Sequence, residues 1–445
     1  MLGAASPPAG SSAESLRVAL LTYRGNPLCG GQGVYVHYLS RELAELGHRV
    51  KVVSGPPYPY VVPGVELVKL PSLDLYRASD PFRTPRLAEL GNVVDLAEWA
   101  LMCTGRFPEP LTYSLRAWRW LRPRRDELDV VHDNQCLGYG ILGIARELPV
   151  VATIHHPITV DRDLELAQAP DRRRQASLRR WYGFVAMQTR VVRRLSHIIT
   201  VSKSSGRDIC AQMGARPEQL SVVPVGVDPD LFRPIPYIAR VPGRIMTTAS
   251  ADVALKGLLP LLEALAKVRT ERHAELVVVG QPRADGAVPT AIERLGLQGA
   301  VTVAGVVGTE EMVRLYASAE VAVVPSLYEG FSLPAIEAMA CGLPLVTTTG
   351  GALPEVVGAD GHAALLVPPG DPGALAAAIG RALDDADIRQ RLGAAGRERA
   401  LRKYTWRSTA EATADRYRQA ILDRPLRASW GDGHPGRGKV GGDRC

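Results

Sequence analysis

RVALLTYRGNPLCGGQGVYVHYLSRELAELGHRVKVVS, residues 17–54, reads as strand, helix, strand. RVALLTY (17–23) and HRVKVVS (48–54) are short, β-rich apolar runs. Between them, GVYVHYLSRELAELG (33–47) sets apolar residues at helical spacing. Strands joined through a helix of this length pair in parallel, so this one unit already implies an α/β doubly wound sheet.

The unit recurs. LDVVHDN (128–134), PVVATIH (149–155) and HIITVS (197–202) complete one set of buried strands. SVVPVGVDPDLFRPIPYIARVPG (221–243) is rich in proline and turns and contains the linker, placed at 226–243. The pattern then restarts with RIMTTAS (244–250), AELVVVG (274–280), AVTVAG (300–305), VAVVPS (321–326) and PLVTTT (344–349). At 445 residues the chain exceeds one ordinary core, so two Rossmann-like domains are expected, 16–225 and 244–402, facing a central cleft. The segments 1–15 and 423–445 lack apolar periodicity and are expected to be disordered tails.

Composition excludes several classes. The chain is 46% apolar and 22% charged, with 53 basic and 46 acidic residues for a net charge of +7. That mild excess suits anionic small molecules or an anionic membrane surface. Stacking motifs for RNA are absent and only five Phe are present, so no nucleic acid partner is expected. The six cysteines are scattered without metal-ligand spacing and read as reduced thiols. The amino terminus lacks the charged start and apolar run of a signal peptide, and no apolar run approaches a membrane span. A cytoplasmic location is expected, with a peripheral contact at the inner membrane face left open.

Chemistry concentrates in YEGFSLPAIEAMACG (328–342). Ser332 or a neighbour can cap a helix of about Leu333 to Cys341, Pro334 suits its first turn, and Gly342 stops it. The free amides of such a helix attract an anion such as a phosphate group. Glu337 lies one turn in and Glu329 lies before the helix; eight helical positions would set them about 80° apart. They therefore approach a ligand from different sides, and a carboxylate suits the vicinal diol of a ribose. A capped core helix with solvated glutamates would carry the same residues.

EGFSLPAIEAMACGLPLVTT with GGALPEVV (350–357) resembles the signature of glycosyltransferase family 4. GGQGVYVHYLSRELAELGHRVKVVS (30–54), VSKSSGRDI (201–209), VVPVGVDPDLFRP (222–234), LKGLLPLLEAL (255–265) and LVVVG (276–280) match in the family's order, covering about residues 16–422. The resemblance implies a GT-B fold and retaining transfer of a hexose from a UDP-, GDP- or ADP-sugar. The acceptor is left unknown, a lipid-linked one among the candidates. It also implies a donor that is substrate rather than cofactor, no metal ion, and a crossover helix at 403–422 that returns to the first domain.

By the same resemblance, Glu329 lies near the donor sugar, Glu337 holds the nucleotide ribose, and Lys256 in LKG contacts the diphosphate. His155 in TIH hydrogen-bonds the transferred sugar, so the catalytic set is His155, Glu329 and Lys256. Gly31 of the Gly30–Gly31 loop, Ser250, Gly330, Phe331, Ser332 and Leu333 complete the donor-binding set with Lys256 and Glu337. One departure stands out: members of the family commonly carry an arginine five or six positions before the lysine, where this chain has Ala251 or Ser250. A sugar-nucleotide epimerase of the same fold and a non-catalytic nucleotide-sugar-binding homologue are the alternative expectations. Trp99, Trp118 and Trp120 among arginines fit either ordinary helix packing or an amphipathic surface on anionic lipid.

Overall fold

The structure, a computed structural model, describes residues 14–25, 31–77, 80, 82–248, 253–283 and 286–424. Most of the two expected tails lies outside the described residues, as do Cys29, Gly30, Ser250, Ala251 and Cys445. Two parallel sheets organise the rest. The first has the order β3-β2-β1-β4-β5-β6-β7. Its strands are β1 (Arg17–Thr22), β2 (Arg49–Ser54), β3 (Glu66–Lys69), β4 (Val130–Asn134), β5 (Val150–Ile154), β6 (His197–Thr200) and β7 (Leu220–Val222). The second runs β10-β9-β8-β11-β12-β13, from β8 (Arg244–Thr248), β9 (Glu275–Val279), β10 (Val301–Gly305), β11 (Val321–Val324), β12 (Leu345–Thr348) and β13 (Ala364–Val367).

The opening stretch behaves as its pattern requires. β1 pairs with β2 in parallel, Val18 opposite Val50 and Leu20 opposite Val52. Helix Gly31–Glu45 between them buries Tyr35, Val36, Leu39 and Leu43, one face at helical spacing. Three strands were not foreseen: β3, β7 and β13, each of three or four residues and each at a sheet edge. β3 and β7 are partly solvated and lack the apolar run that marks a central strand, whereas β13 is the buried apolar run ALLV, absent from the expected strands. β7 also corrects the turn-rich reading that began at Ser221, because Leu220–Val222 pairs with β6 before the chain leaves the first sheet.

The chain returns to the first sheet through helix Trp406–Leu422, which packs beside helix Gly31–Glu45. It starts later than 403, because helix Ala386–Lys403 continues to that lysine and Tyr404 and Thr405 form the joint. There the Val227 amide donates to the Tyr404 carbonyl at 2.8 Å, and Thr405 caps the new helix. Tyr417 then reaches into the first sheet, with its hydroxyl 2.6 Å from His132 Nδ1. His132 Nε2 is 2.7 Å from the Thr153 hydroxyl, which in turn lies 3.1 Å from that of Tyr35. Burial holds the His132 pKa down to about 3, helped by the neighbouring His155. The network is neutral, with both ring nitrogens partnered, so its burial carries no charge penalty.

Trp118 and Trp120 pack half-buried against the first-domain core. Trp118 Nε1 lies 3.4 Å from Glu147, and the Arg124 guanidinium sits 4.7 Å above the Trp120 ring. That is ordinary helix packing with a basic rim. Among the described residues no helix is long and apolar enough to cross a membrane.

Candidate active site

Two loops of the second domain set the first pair of site residues. After β8 the chain makes a short helical turn, Ala254–Lys256, ended by Gly257 at φ 67°. A side chain at Gly257 would stand 2.0 Å from the Pro325 carbonyl oxygen, so only glycine lets this turn lie against the exit of β11. The Leu327 amide donates to the Leu255 carbonyl at 2.7 Å and locks the loops together. From the other side, a side chain on Gly351 (φ 62°) would meet the Glu329 carbonyl at 2.3 Å. Held this way, Lys256 Nζ donates to Glu329 Oε1 at 2.8 Å, and the Ser326 hydroxyl donates to the same oxygen at 2.7 Å.

Helix Leu333–Ala340 follows. Ser332 is its cap, accepting from the Ala335 amide at 3.4 Å, and takes φ 108°, a backbone that a serine adopts only at a cost. Pro334 sits in the first turn, and Gly342 leaves the helix at φ 67°. Glu337 points away from Glu329, and its Oε2 accepts from the Tyr316 hydroxyl at 3.3 Å. Burial pushes its carboxyl up to about 7, against the opposing pull of that hydroxyl. Phe331 is buried, its ring 5.4 Å from that of Tyr404, which leaves only its backbone to a ligand.

The first domain contributes the carboxyl ends of β4 and β5. The Asn134 amide nitrogen donates to the Gln32 carbonyl at 3.4 Å, turning its oxygen toward His155 Nε2 at 2.8 Å. Nε2 therefore carries the ring proton and Nδ1 is left as an acceptor. Burial, with His156 adding to it, holds the His155 pKa down to about 3, so the ring is neutral. Gln135 fixes the backbone on either side, accepting from the His155 amide at 2.8 Å and donating to the His156 carbonyl at 2.7 Å. His156 is turned to Asp161, 2.8 Å away. The adjacent histidines point to different partners, as an extended chain demands.

The domains meet beside this histidine. The Gly330 carbonyl accepts from the Ser202 hydroxyl at 2.6 Å and from that of Ser205 at 3.0 Å, and Ser205 lies 3.1 Å from the His155 carbonyl. A side chain on Gly330 would press within 2.7 Å of that same carbonyl. Across the seam, Glu355 accepts from the Lys203 amide at 2.9 Å, and the Tyr328 hydroxyl donates to Asp208 at 2.6 Å. Gly31, at the start of its helix, lies opposite Leu333: a Cβ there would be 3.9 Å from the Leu333 side chain.

The tertiary structure thus joins Lys256 to Glu329, Gly330 to His155, and Gly31 to Leu333, while Glu337 stands apart beside Tyr316. Ser250 and Ala251 lie outside the described residues, so the site of the absent arginine does too. Asn134, Gln135, Ser202, Ser205, Tyr316 and Glu355 belong to the site region without having been singled out. One signal existed: VVHDN ends in three consecutive polar residues that are fully buried within a strand. Among the described residues, Lys256, the helix starts at Gly31 and Leu333 and the neutral His155 ring come together where the two domains meet. That set suits an anionic group attached to a polar ring.

Residues 29–231 match the sequence model described as Glycosyltransferase Family 4, and residues 242–385 the one described as Glycosyl transferases group 1. A Mycolicibacterium hassiacum protein named MMP alpha-(1->4)-mannosyltransferase is 53% identical over 408 residues, covering 91% of this chain and 98% of its own. A Streptomyces scabiei D-inositol 3-phosphate glycosyltransferase is 30% identical, covering 94% and 95%. Among solved structures, sucrose-phosphate synthase from Thermosynechococcus elongatus superposes with a TM-score of 0.71 at 24% identity, over 92% of this chain and 100% of its own. Anabaena Alr3699/HepE, solved in complex with UDP and glucose, gives 0.63 at 18% identity, over 90% and 98%. The structural likenesses show a shared fold, the two facing Rossmann-like domains of GT-B.

Proposed function

Since this chain belongs to glycosyltransferase family 4 and is a glycosyltransferase, we propose that it moves a mannosyl group from a nucleoside diphosphate mannose to a hydroxyl of a glycan acceptor, retaining the anomeric configuration. The observation that carries this reading is the Lys256–Glu329 pair beside two facing helix starts. Lys256 and the amides ahead of Leu333 receive the diphosphate and stabilise the charge that grows on it as it leaves. Glu337 takes the ribose diol, Glu329 the sugar end, and Nδ1 of His155 accepts from a hydroxyl of the transferred sugar. The C1–phosphate oxygen bond breaks as the acceptor oxygen bonds to C1 on the same face, and the acceptor proton passes to the leaving phosphate. No metal ion enters this reading, because Lys256 and the helix amides supply the positive field.

Mannose is supported by the 53% identical mannosyltransferase, whose name specifies an α-(1→4) bond. Nucleoside diphosphate mannose is itself α-linked, so an α product requires retention. We place the reaction in the cytoplasm, where such donors are made. A second reading, supported by the 30% identical relative, has a cyclitol phosphate as acceptor. Purified protein should release nucleoside diphosphate from one of GDP-, UDP- or ADP-mannose only when an oligomannoside is added, and NMR should find an α anomer. An epimer formed from donor alone would replace this reading with an epimerase. Tight nucleotide binding without turnover on any acceptor would make the chain a binding protein.

A further inference from the structure

The first domain carries an aromatic cluster that the donor site does not use. Tyr76 lies 5.4 Å from Phe82, 5.3 Å from Phe107 and 5.4 Å from Trp181, centre to centre, and Phe107 lies 5.1 Å from Trp181. Phe82 is 61% exposed, and its φ of 63° puts a bulky residue in the left-handed region. The other three are half-buried. A strained loop that holds an aromatic ring in water spends stability with no return to the core.

The cluster stands on the rim that faces the cleft. Tyr76 and Phe82 follow β3, Phe107 precedes helix Glu109–Leu121, and Trp181 ends helix Arg172–Trp181, shortly before helix Phe184–Val192 leads to β6. In a parallel sheet, strand exits and helix entries share the carboxyl edge, the edge to which His155 and Asn134 belong. Arg24, just past β1, closes the group with its guanidinium 6.0 Å from the centre of the Tyr76 ring. A packed connection runs toward His155: the Cys136 thiol donates to the Pro110 carbonyl at 3.1 Å, one residue after Gln135 and three after Phe107.

Charge decides what such a shelf can hold. Arg24 is bidentate on Glu109 at 2.6 and 2.7 Å, Arg77 is paired with Asp80, and Arg83 with Glu89. These three cations are already neutralised, so what they border is ring face, while the exposed Arg106 directly precedes Phe107 and the exposed Arg179 and Arg180 precede Trp181. A pyranose has an apolar C–H face that lies flat on an aromatic ring while its hydroxyls stay in water.

We propose that Tyr76, Phe82, Phe107 and Trp181 form an acceptor subsite on which an inner sugar ring of a neutral glycan stacks while the chain's terminal hydroxyl reaches the cleft. The inference rests on the reading that the acceptor is a glycan. Its test compares wild type, Phe82→Ala and Trp181→Leu on α-(1→4)-linked oligomannosides of increasing length, with methyl mannoside as the single-sugar acceptor. Both variants should raise KM for the longer acceptors about fivefold to tenfold and leave kcat, the donor KM and the methyl mannoside KM unchanged. An unchanged KM on long acceptors, or an equal rise on methyl mannoside, overturns the subsite. So does loss of binding to phosphatidylglycerol vesicles in Phe82→Ala with acceptor kinetics intact, which would make the shelf a lipid contact. If wild type transfers mannose from no donor, calorimetry separates the two ideas. Oligomannoside binding that weakens in Phe82→Ala keeps the subsite, and no binding removes it.

Discussion

Lys256 and Glu329, 73 positions apart in the chain, are joined by a 2.8 Å hydrogen bond. The lysine is thus pre-aimed by a carboxylate that a sugar hydroxyl would later share. Lys256→Ala and Glu329→Ala should each lower kcat by about 10²–10³-fold, the usual loss for a removed stabiliser of developing charge. Circular dichroism should stay near wild type in both. Tm should hardly move in Lys256→Ala, whose lysine is partly solvated, and fall modestly in Glu329→Ala, because Glu329 is buried and also accepts from Ser326. Turnover that survives either change would remove both residues from the site.

With Glu337 on the ribose, as proposed, donor binding should depend on pH. Burial raises its carboxyl to about 7, so the folded protein holds a proton there that the unfolded chain releases near 4.5. The resulting stability is present below 4.5 and is lost as pH rises through 7. A ribose diol donates to the ionised form, so donor affinity should climb by up to about tenfold per pH unit on the way to 7. Isothermal titration between pH 5 and 8 should show proton release on binding. Glu337→Gln should flatten both slopes, and a pH-independent affinity in wild type would detach Glu337 from the ribose.

Asn134 sets which nitrogen of His155 carries the proton. Asn134→Leu removes the acceptor at Nε2 and frees the other tautomer. It should lower kcat about tenfold to a hundredfold, the worth of one buried hydrogen bond. Its direct signature is spectroscopic: the ¹⁵N shifts of the His155 ring should move from one neutral tautomer toward a mixture. A wild-type ring already mixed would contradict the assigned geometry.

Tyr417 ties the crossover helix to the first sheet through His132. Tyr417→Phe leaves a fully buried ring nitrogen without its partner, at a cost of about 1–3 kcal/mol. Tm should fall by roughly 2–4 °C for each kcal/mol lost. Donor KM should change little, since the contact lies beneath the cleft. A Tm equal to wild type would show that the helix is held by packing alone.

Much of the architecture was readable from the chain. Central strands announce themselves because burial on both faces demands unbroken apolar runs, as in RVALLT and ELVVV. β3 and β7 stayed hidden because a half-solvated edge strand needs no such run, while β13, buried and apolar as ALLV, carried the signal and was overlooked. The helix at Leu333 was readable from local rules of cap, proline and terminal glycine, and each of these takes the expected place. His132 lies in the middle of β4 and His155 just past the end of β5, a difference that the expected strands LDVVHDN and PVVATIH, each drawn to include its histidine, did not resolve.

The α/β alternation follows from the sequence by itself, since it depends on residue type and nearby spacing, and the resemblance to glycosyltransferase family 4 singles out Lys256, Glu329, Glu337 and His155 as candidates. Only the tertiary structure decided that Lys256 rests on Glu329, that Asn134 orients His155, and that Gly330 lies under two serines of the other domain. It also gathered Tyr76, Phe82, Phe107 and Trp181 onto one rim. These are contacts between segments tens to hundreds of residues apart, and local propensity carries no information about which loops a folded pair of sheets will bring together.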